Sequence, residues 1–202
     1  NRGIIRKNCK FSGTILHKSK YVFSKLITTI SITLVGLLVS LTKTNKNMKI
    51  ALFPGSFDPI TKAHVDILKR SIPLFDKIYV GIGTNSSKQS LLSVDVRLEM
   101  IKAVFADEPK LEMIKYEGLT VNFCKEIGAD YMIRGIRTVS DFEYEKAIAQ
   151  MNHALVPDIE SIFIVSKPGY SSISSTIVRD ILRYSGDVAQ FVPSAAIPFL
   201  IK

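Results

Sequence analysis

From residue 48 onward the sequence alternates, five times over, between a short apolar run and a longer segment with the apolar spacing of a helix. This alternation limits the fold more than any other feature. The apolar runs are 49–53, 77–82, 111–116, 131–134 and 161–165. Several are nearly continuous Val, Ile, Leu and aromatic residues, as expected of strands covered on both faces. The helical segments fall at about 62–73, 93–106, 119–128, 139–154 and 174–185. In the second, Val94, Leu98, Ile101 and Phe105 recur at steps of three and four and make one apolar stripe. The order βαβαβαβαβα predicts a Rossmann-like α/β fold, a doubly wound parallel sheet in a single domain over residues 48–202. Such sheets bind ligands outside the carboxyl ends of their strands, where the strand order reverses. The residues that follow strands are therefore the informative ones.

Charge separates this domain from what precedes it. The formal net charge is +9. Nine basic groups lie in residues 1–47, which contain no Asp or Glu, leaving eighteen basic against eighteen acidic groups in residues 48–202. A balanced body gives no polyanion-binding signature, so no nucleic-acid partner is expected. The N-terminal extension 1–47 joins its basic groups to an uncharged apolar stretch, 26–42, at the short edge of what spans a bilayer. It reads as a signal anchor or secretory leader, an organellar transit segment, or upstream sequence outside the working protein. Met48 stands at the first residue of the first strand and is the expected functional start. A membrane partner follows only if 26–42 is a genuine anchor. Of two cysteines, Cys9 and Cys124, one lies on each side of this boundary. No disulfide framework or cysteine-based zinc spacing results, which fits a reducing compartment.

After the first strand comes Gly55-Ser56-Phe57-Asp58-Pro59-Ile60-Thr61, then Lys62-Ala63-His64. The glycine permits a tight turn and close approach of a ligand. Ser56 can donate to an anionic oxygen, and His64 falls near a helix N-terminus, where N–H groups and the dipole favour phosphate. After the second strand, 81–88 is a loop of small polar residues ending in Lys88, without the ending of a Walker loop. After the fourth come Arg134, Gly135, Ile136 and Arg137, two guanidinium forks around an approachable backbone. The acidic residues that follow, Asp141 and Glu143, are expected to form salt bridges. After the fifth strand, Tyr170, Ser171, Ser172, Ile173, Ser174, Ser175 and Thr176 run into a helix. One helix cap needs one hydroxyl, and the surplus suggests a phosphate nest. Four strand ends thus carry phosphate-type donors. No Ser-His-Asp order, catalytic carboxylate pair or metal-binding histidine cluster competes.

These motifs, GSFDPIT with His64, Ser87-Lys88, IRGIR followed by DFEYE at 141–145, Met151-Asn152, and ISST at 173–176, resemble bacterial phosphopantetheine adenylyltransferase. The resemblance covers residue 48 to about 198 and none of 1–47. It implies transfer of the adenylyl group of ATP to 4′-phosphopantetheine, giving dephospho-coenzyme A and pyrophosphate in the penultimate step of coenzyme A biosynthesis. It also implies a cytoplasmic homohexamer that uses magnesium. By this resemblance His64 is catalytic. Ser56, Lys88, Thr120 and Arg134 bind the acceptor substrate. Ser56, Phe57, His64, Gly135 to Arg137, Glu145 and Tyr170 to Thr176 bind ATP, and no protein side chain ligates the metal. One departure stands out: the family reads Thr-x-Gly-His where this chain has Thr61-Lys62-Ala63-His64, a change expected to be tolerated at a helix start. The rival readings are another adenylyl- or cytidylyltransferase of the same fold, against which the RGIR–DFEYE pairing argues, and a membrane-tethered nucleotide-binding protein.

Overall fold

The computed structural model describes residues 48–84 and 90–200. The extension 1–47 with its apolar stretch, and Lys88, lie outside the described residues. Five strands, β1 (Ile50–Gly55), β2 (Lys77–Gly83), β3 (Leu111–Tyr116), β4 (Tyr131–Ile136) and β5 (Glu160–Val165), form one sheet. All neighbours are parallel and the order is β3-β2-β1-β4-β5. The helices are α1 (Lys62–Ser71), α2 (Val94–Val104), α3 (Thr120–Glu126), α4 (Val139–Leu155) and α5 (Ser175–Arg183).

Side-chain alternation along the strands shows why helices cover both faces. Ala51, Phe53, Ile78, Val80, Ile82 and Ile133 point into one core with Ile67, Leu68, Met100, Ile101 and Val178 of α1, α2 and α5. Leu52 and Met132 point the other way, into a second core with Val121, Phe123 and Cys124 of α3. A period of two on a sheet buried on both sides produces this division.

Several boundaries differ from the sequence expectation. β1, β2 and β4 run past their apolar stretches, to Gly55, Gly83 and Ile136. Gly135 and Ile136 therefore lie inside β4, paired with Ile164 and Val165 of β5, and not in a loop after it. Backbone ladders continue regardless of side-chain polarity, so an apolar run marks only the covered part of a strand. Conversely, α1 stops at Ser71 and a single 3-10 turn, Ile72–Leu74, follows. Pro73 lacks the N–H that another α-turn needs.

The register places the crevice. β1 pairs with β2 from Ile50↔Lys77 to Gly55↔Ile82, and β4 pairs with β5 from Tyr131↔Glu160 to Ile136↔Val165. Between β1 and β4, only Ala51↔Tyr131 and Leu52↔Met132 pair. Beyond Leu52 the two central strands part, at the position where strand order reverses. The sheet opens where the residue pattern had placed a ligand.

Candidate active site

The opening is a cleft of about 260 Å³ lined by Phe53, Pro54 and Gly55 of β1, by Ala63, His64 and Ile67 of α1, and by Arg134 and Gly135 of β4. Arg137, Glu145, Ser166 and Ile173 to Thr176 complete it. Gly135 packs closely under α1: a Cβ there would lie 3.2 Å from Ile67 Cγ1, tight enough that the Ile67 side chain would have to shift.

His64 is held by its own helix start. Thr61 is the N-cap of α1, and its backbone N–H donates to His64 Nδ1 over 3.1 Å. The Thr61 hydroxyl lies 3.0 Å from the same nitrogen and accepts from the His64 backbone N–H at 3.5 Å. Because a backbone N–H can only donate, Nδ1 accepts and the ring proton resides on Nε2. The ring is half-buried and packs edge-on against Phe57, with centroids 5.2 Å apart, and near Phe53. Burial, helped by the positive charge of Arg137, lowers its pKa from 6.5 to about 4. At neutral pH His64 is thus an uncharged N–H donor of fixed tautomer. Neutral imidazole can stabilise negative charge as it develops on an oxygen without first pairing with it.

Both cleft arginines are paired with carboxylates. Arg134 forms a fork on Glu145, Nε to Oε2 at 2.6 Å and Nη2 to Oε1 at 2.5 Å, and its Nη1 donates to Pro54 O at 3.1 Å across the gap between β4 and β1. Arg137 forms a second fork on Asp141, at 2.9 and 3.2 Å. Burial by itself would raise the Asp141 carboxyl, but the Arg137 bonds outweigh it and hold it below the usual range. The salt bridges expected of the acidic helix are present: Asp141 to Arg137, and Glu143 to Lys146 at 2.6 Å.

The two helix N-termini offer fewer open donors than the sequence suggested. In α1, the Lys62 N–H goes to Phe191 O at 2.9 Å and the His64 N–H to the Thr61 hydroxyl. At α5, the surplus of hydroxyls has internal partners. Ser174 caps Ile177 N at 3.2 Å, Ser175 Oγ donates to Pro59 O at 2.8 Å, and Thr176 Oγ1 accepts from Arg179 at 3.1 Å. Ser171 Oγ donates to Pro168 O at 3.0 Å. A hydroxyl cluster in a sequence counts donors without revealing which are already used.

Of the predicted site residues, His64, Arg134, Gly135, Arg137, Glu145 and Ile173 to Thr176 meet in the cleft. Ser56 adjoins the cleft-lining Gly55 and is exposed. Phe57 is 1% exposed, so its ring is a core and His64-packing group. Ile136 is buried and borders a shallow apolar depression beside the cleft with Val139, Phe142 and Val165. Thr120 stands apart, its hydroxyl 2.9 Å from Tyr116 OH. Tyr170, Ser171 and Ser172 precede the cleft-lining stretch without lining the cleft themselves. Sequence reasoning missed Ser166, and also the residues that pin the β1–α1 turn. Arg97 Nη1 donates to Ser56 O and Arg179 Nη1 to Asp58 O, each at 2.7 Å. Arg97 sits three residues after Val94, on the apolar stripe of α2. A cation at a core position was the available signal.

A family model described as cytidylyltransferase-like matches residues 52–181. The chain is 51% identical over 148 residues to the phosphopantetheine adenylyltransferase of Flavobacterium psychrophilum, an alignment covering 73% of this chain and 97% of that protein. It is 46% identical over 145 residues to that of Cytophaga hutchinsonii, covering 72% and 97%. It is 43% identical over 150 residues to that of Lachnoclostridium phytofermentans, covering 74% and 92%. Among solved structures it is similar to a Vibrio parahaemolyticus protein assigned by name as a nicotinate-nucleotide adenylyltransferase. That likeness has a TM-score of 0.58 at 18% identity, covers 76% of this chain and 99% of the other, and shows the fold alone. Sequence identity at this level over nearly the full length of those relatives, on a sheet that opens at β1 and β4, establishes that the chain belongs to the phosphopantetheine adenylyltransferase family of nucleotidyltransferases.

Proposed function

We propose that the protein catalyses reversible transfer of the adenylyl group of ATP to 4′-phosphopantetheine. An oxygen of the acceptor phosphate attacks the α-phosphorus in line, the bond from that phosphorus to the bridging oxygen breaks, and pyrophosphate leaves. The acceptor phosphate is already anionic, so no general base is needed. Positioning and charge stabilisation supply the rate. His64 donates from Nε2–H to the α-phosphate as charge builds on it. Arg134, with Ser56 and Lys88, orients the acceptor, and Thr120 lines the pantetheine side. Arg137, Gly135 and the 173–176 segment hold the nucleotide, and Glu145 holds the Arg134 fork. The observation that carries this reading is the uncharged His64 donor, tautomer fixed, in one cleft with two arginines and the start of α5.

Magnesium is the expected cation. Among the described residues no cluster of three metal-ligating side chains occurs, and the cleft carboxylate of Glu145 is committed to Arg134. This donor set suits an ion carried on the nucleotide's phosphates, where it supplies charge neutralisation. A cytoplasmic site of action accords with this substrate pair, and no helix among the described residues is long and apolar enough to cross a membrane. A homohexamer is the proposed assembly, supported by α4, which buries no residue and exposes Val139, Tyr144, Met151 and Leu155. Sedimentation at micromolar concentration tests it, and a monomer would refute it.

The deciding experiment is pyrophosphate release by the purified protein from ATP with 4′-phosphopantetheine, against nicotinamide mononucleotide as acceptor. Release only with phosphopantetheine is expected. Release only with the mononucleotide, or none at all, would overturn the reading.

A further inference from the structure

Beneath the turn that carries Ser56, two charged side chains are withdrawn from water although the proposed chemistry uses neither. Asp58 and Arg97 are each 3% exposed. The Asp58 carboxylate accepts from two successive N–H groups, Leu91 N at 2.8 Å on Oδ2 and Leu92 N at 3.0 Å on Oδ1. Arg97 Nη1 donates to Ser56 O at 2.7 Å, and its Nε to Ser93 O at 3.4 Å. Burial disfavours the charged form of Arg97, while the Asp58 carboxylate favours it.

Buried charges are poor stabilisers, because desolvation consumes most of the attraction. Apolar side chains of like volume would hold α2 on the sheet equally well. What the charges add is direction. The guanidinium fixes one carbonyl of the turn, and the carboxylate fixes the segment entering α2 to the same turn. Between them stands Phe57 with φ 45°, a left-handed backbone that a side chain with a Cβ rarely adopts. Such a conformation persists where surrounding bonds over-determine it, as they do at active sites.

We propose that Asp58 and Arg97 are positioning residues for adenylyl transfer, setting the Ser56–Phe57 peptide and through it the placement of the Ser56 hydroxyl relative to His64, without touching either substrate. This rests on the functional reading above. Misplacing a reacting group by ~1 Å can cost about 100-fold in rate. The nucleotide, by contrast, is gripped by Arg137 and the start of α5, so turnover should suffer while ATP affinity is retained.

The test uses the full chain, with Arg97→Lys, which keeps the charge and loses the fork, and Asp58→Asn, which keeps one acceptor oxygen. Each is expected to lower kcat by about 10- to 100-fold with KM for ATP within about threefold of wild type. Ser56→Ala is then made in both wild type and Arg97→Lys. If Arg97 acts through Ser56, the loss caused by Ser56→Ala largely disappears in the Arg97→Lys background, a coupling that a purely structural role does not produce. Folded variants that keep kcat within about twofold overturn the proposal. So does a Ser56→Ala loss that is absent in wild type or equal in both backgrounds. If neither variant folds by circular dichroism, the pair is a folding device and the proposal falls. A wild-type protein that releases no pyrophosphate identifies the functional reading as the failure, and the proposal falls with it.

Discussion

Arg134 and Arg137 face the open cleft, while Arg97 and Arg179 lie behind the turn that forms its wall. The first two meet carboxylates, Glu145 and Asp141. The second two meet backbone carbonyls, Ser56 O and Asp58 O. A carboxylate presents two anionic oxygens to a guanidinium fork and can be exchanged for a phosphate, which presents the same geometry. A turn carbonyl cannot be exchanged without moving the chain. Identical side chains are therefore committed differently, the cleft pair to carboxylates at an open face and Arg97 and Arg179 to the shape of the turn.

The largest effect should come from the residue between the two sets. His64→Ala is expected to lower kcat about 100- to 1,000-fold while ATP binding, measured by calorimetry, changes little. Equal losses in both would make His64 an ordinary binding group.

Next comes the contrast between arginines. Arg97→Met should lower unfolding free energy in urea by about 3 kcal/mol, because it removes a buried cation facing Asp58. Arg137→Ala should cost under about 1 kcal/mol of stability, since its pair is partly exposed. It should nonetheless weaken ATP binding about tenfold, through loss of a charged contact. Matching stability losses would show that the two arginines play the same structural role.

A third measurement follows the pKa of His64. Its folded value is lowered to about 4 against 6.5. Between those values the unfolded chain binds more protons, so its contribution to stability is present above pH 6.5 and is lost as pH falls toward 4. An NMR titration should find the ring midpoint near 4, and His64→Gln should flatten the stability slope in that window. A midpoint near 6.5 would show that burial leaves the ring unperturbed, and one well above 7 would remove the neutral-donor mechanism.

The smallest effect is expected at Ala63, a buried residue of the first turn of α1 that lines the cleft. Ala63→Gly should change turnover by less than about twofold, since either residue fits a helix start. A large gain in rate would show that its methyl group obstructs the substrate.

The five-strand pattern, the helices between strands and the strand ends as the place of function could all be read along the chain. Hydrophobic period and the turn residues Gly55 and Pro73 are local properties, and so is the choice of Thr61 before a helix. The Arg134 fork could not be read in this way, because its residues are separated by eleven positions and lie on different elements, β4 and α4. Nor could the use of Ser175 by Pro59 O, a bond across 116 positions. Nor could the burial of the Phe57 ring, which the turn folds beneath Gly55, whose added Cβ would sit 2.8 Å from Phe57 Cζ.

By itself, then, the sequence determined a doubly wound sheet and the residue types available for phosphate chemistry, since both follow from periodicity and local composition. Only the tertiary structure decided which donors already have partners, which nitrogen of His64 carries its proton, and which arginines meet carboxylates at the cleft and which pin the turn behind it. Those outcomes depend on partners brought close by β1 and β4 parting beyond Leu52, and no local pattern encodes where two distant strands cease to pair.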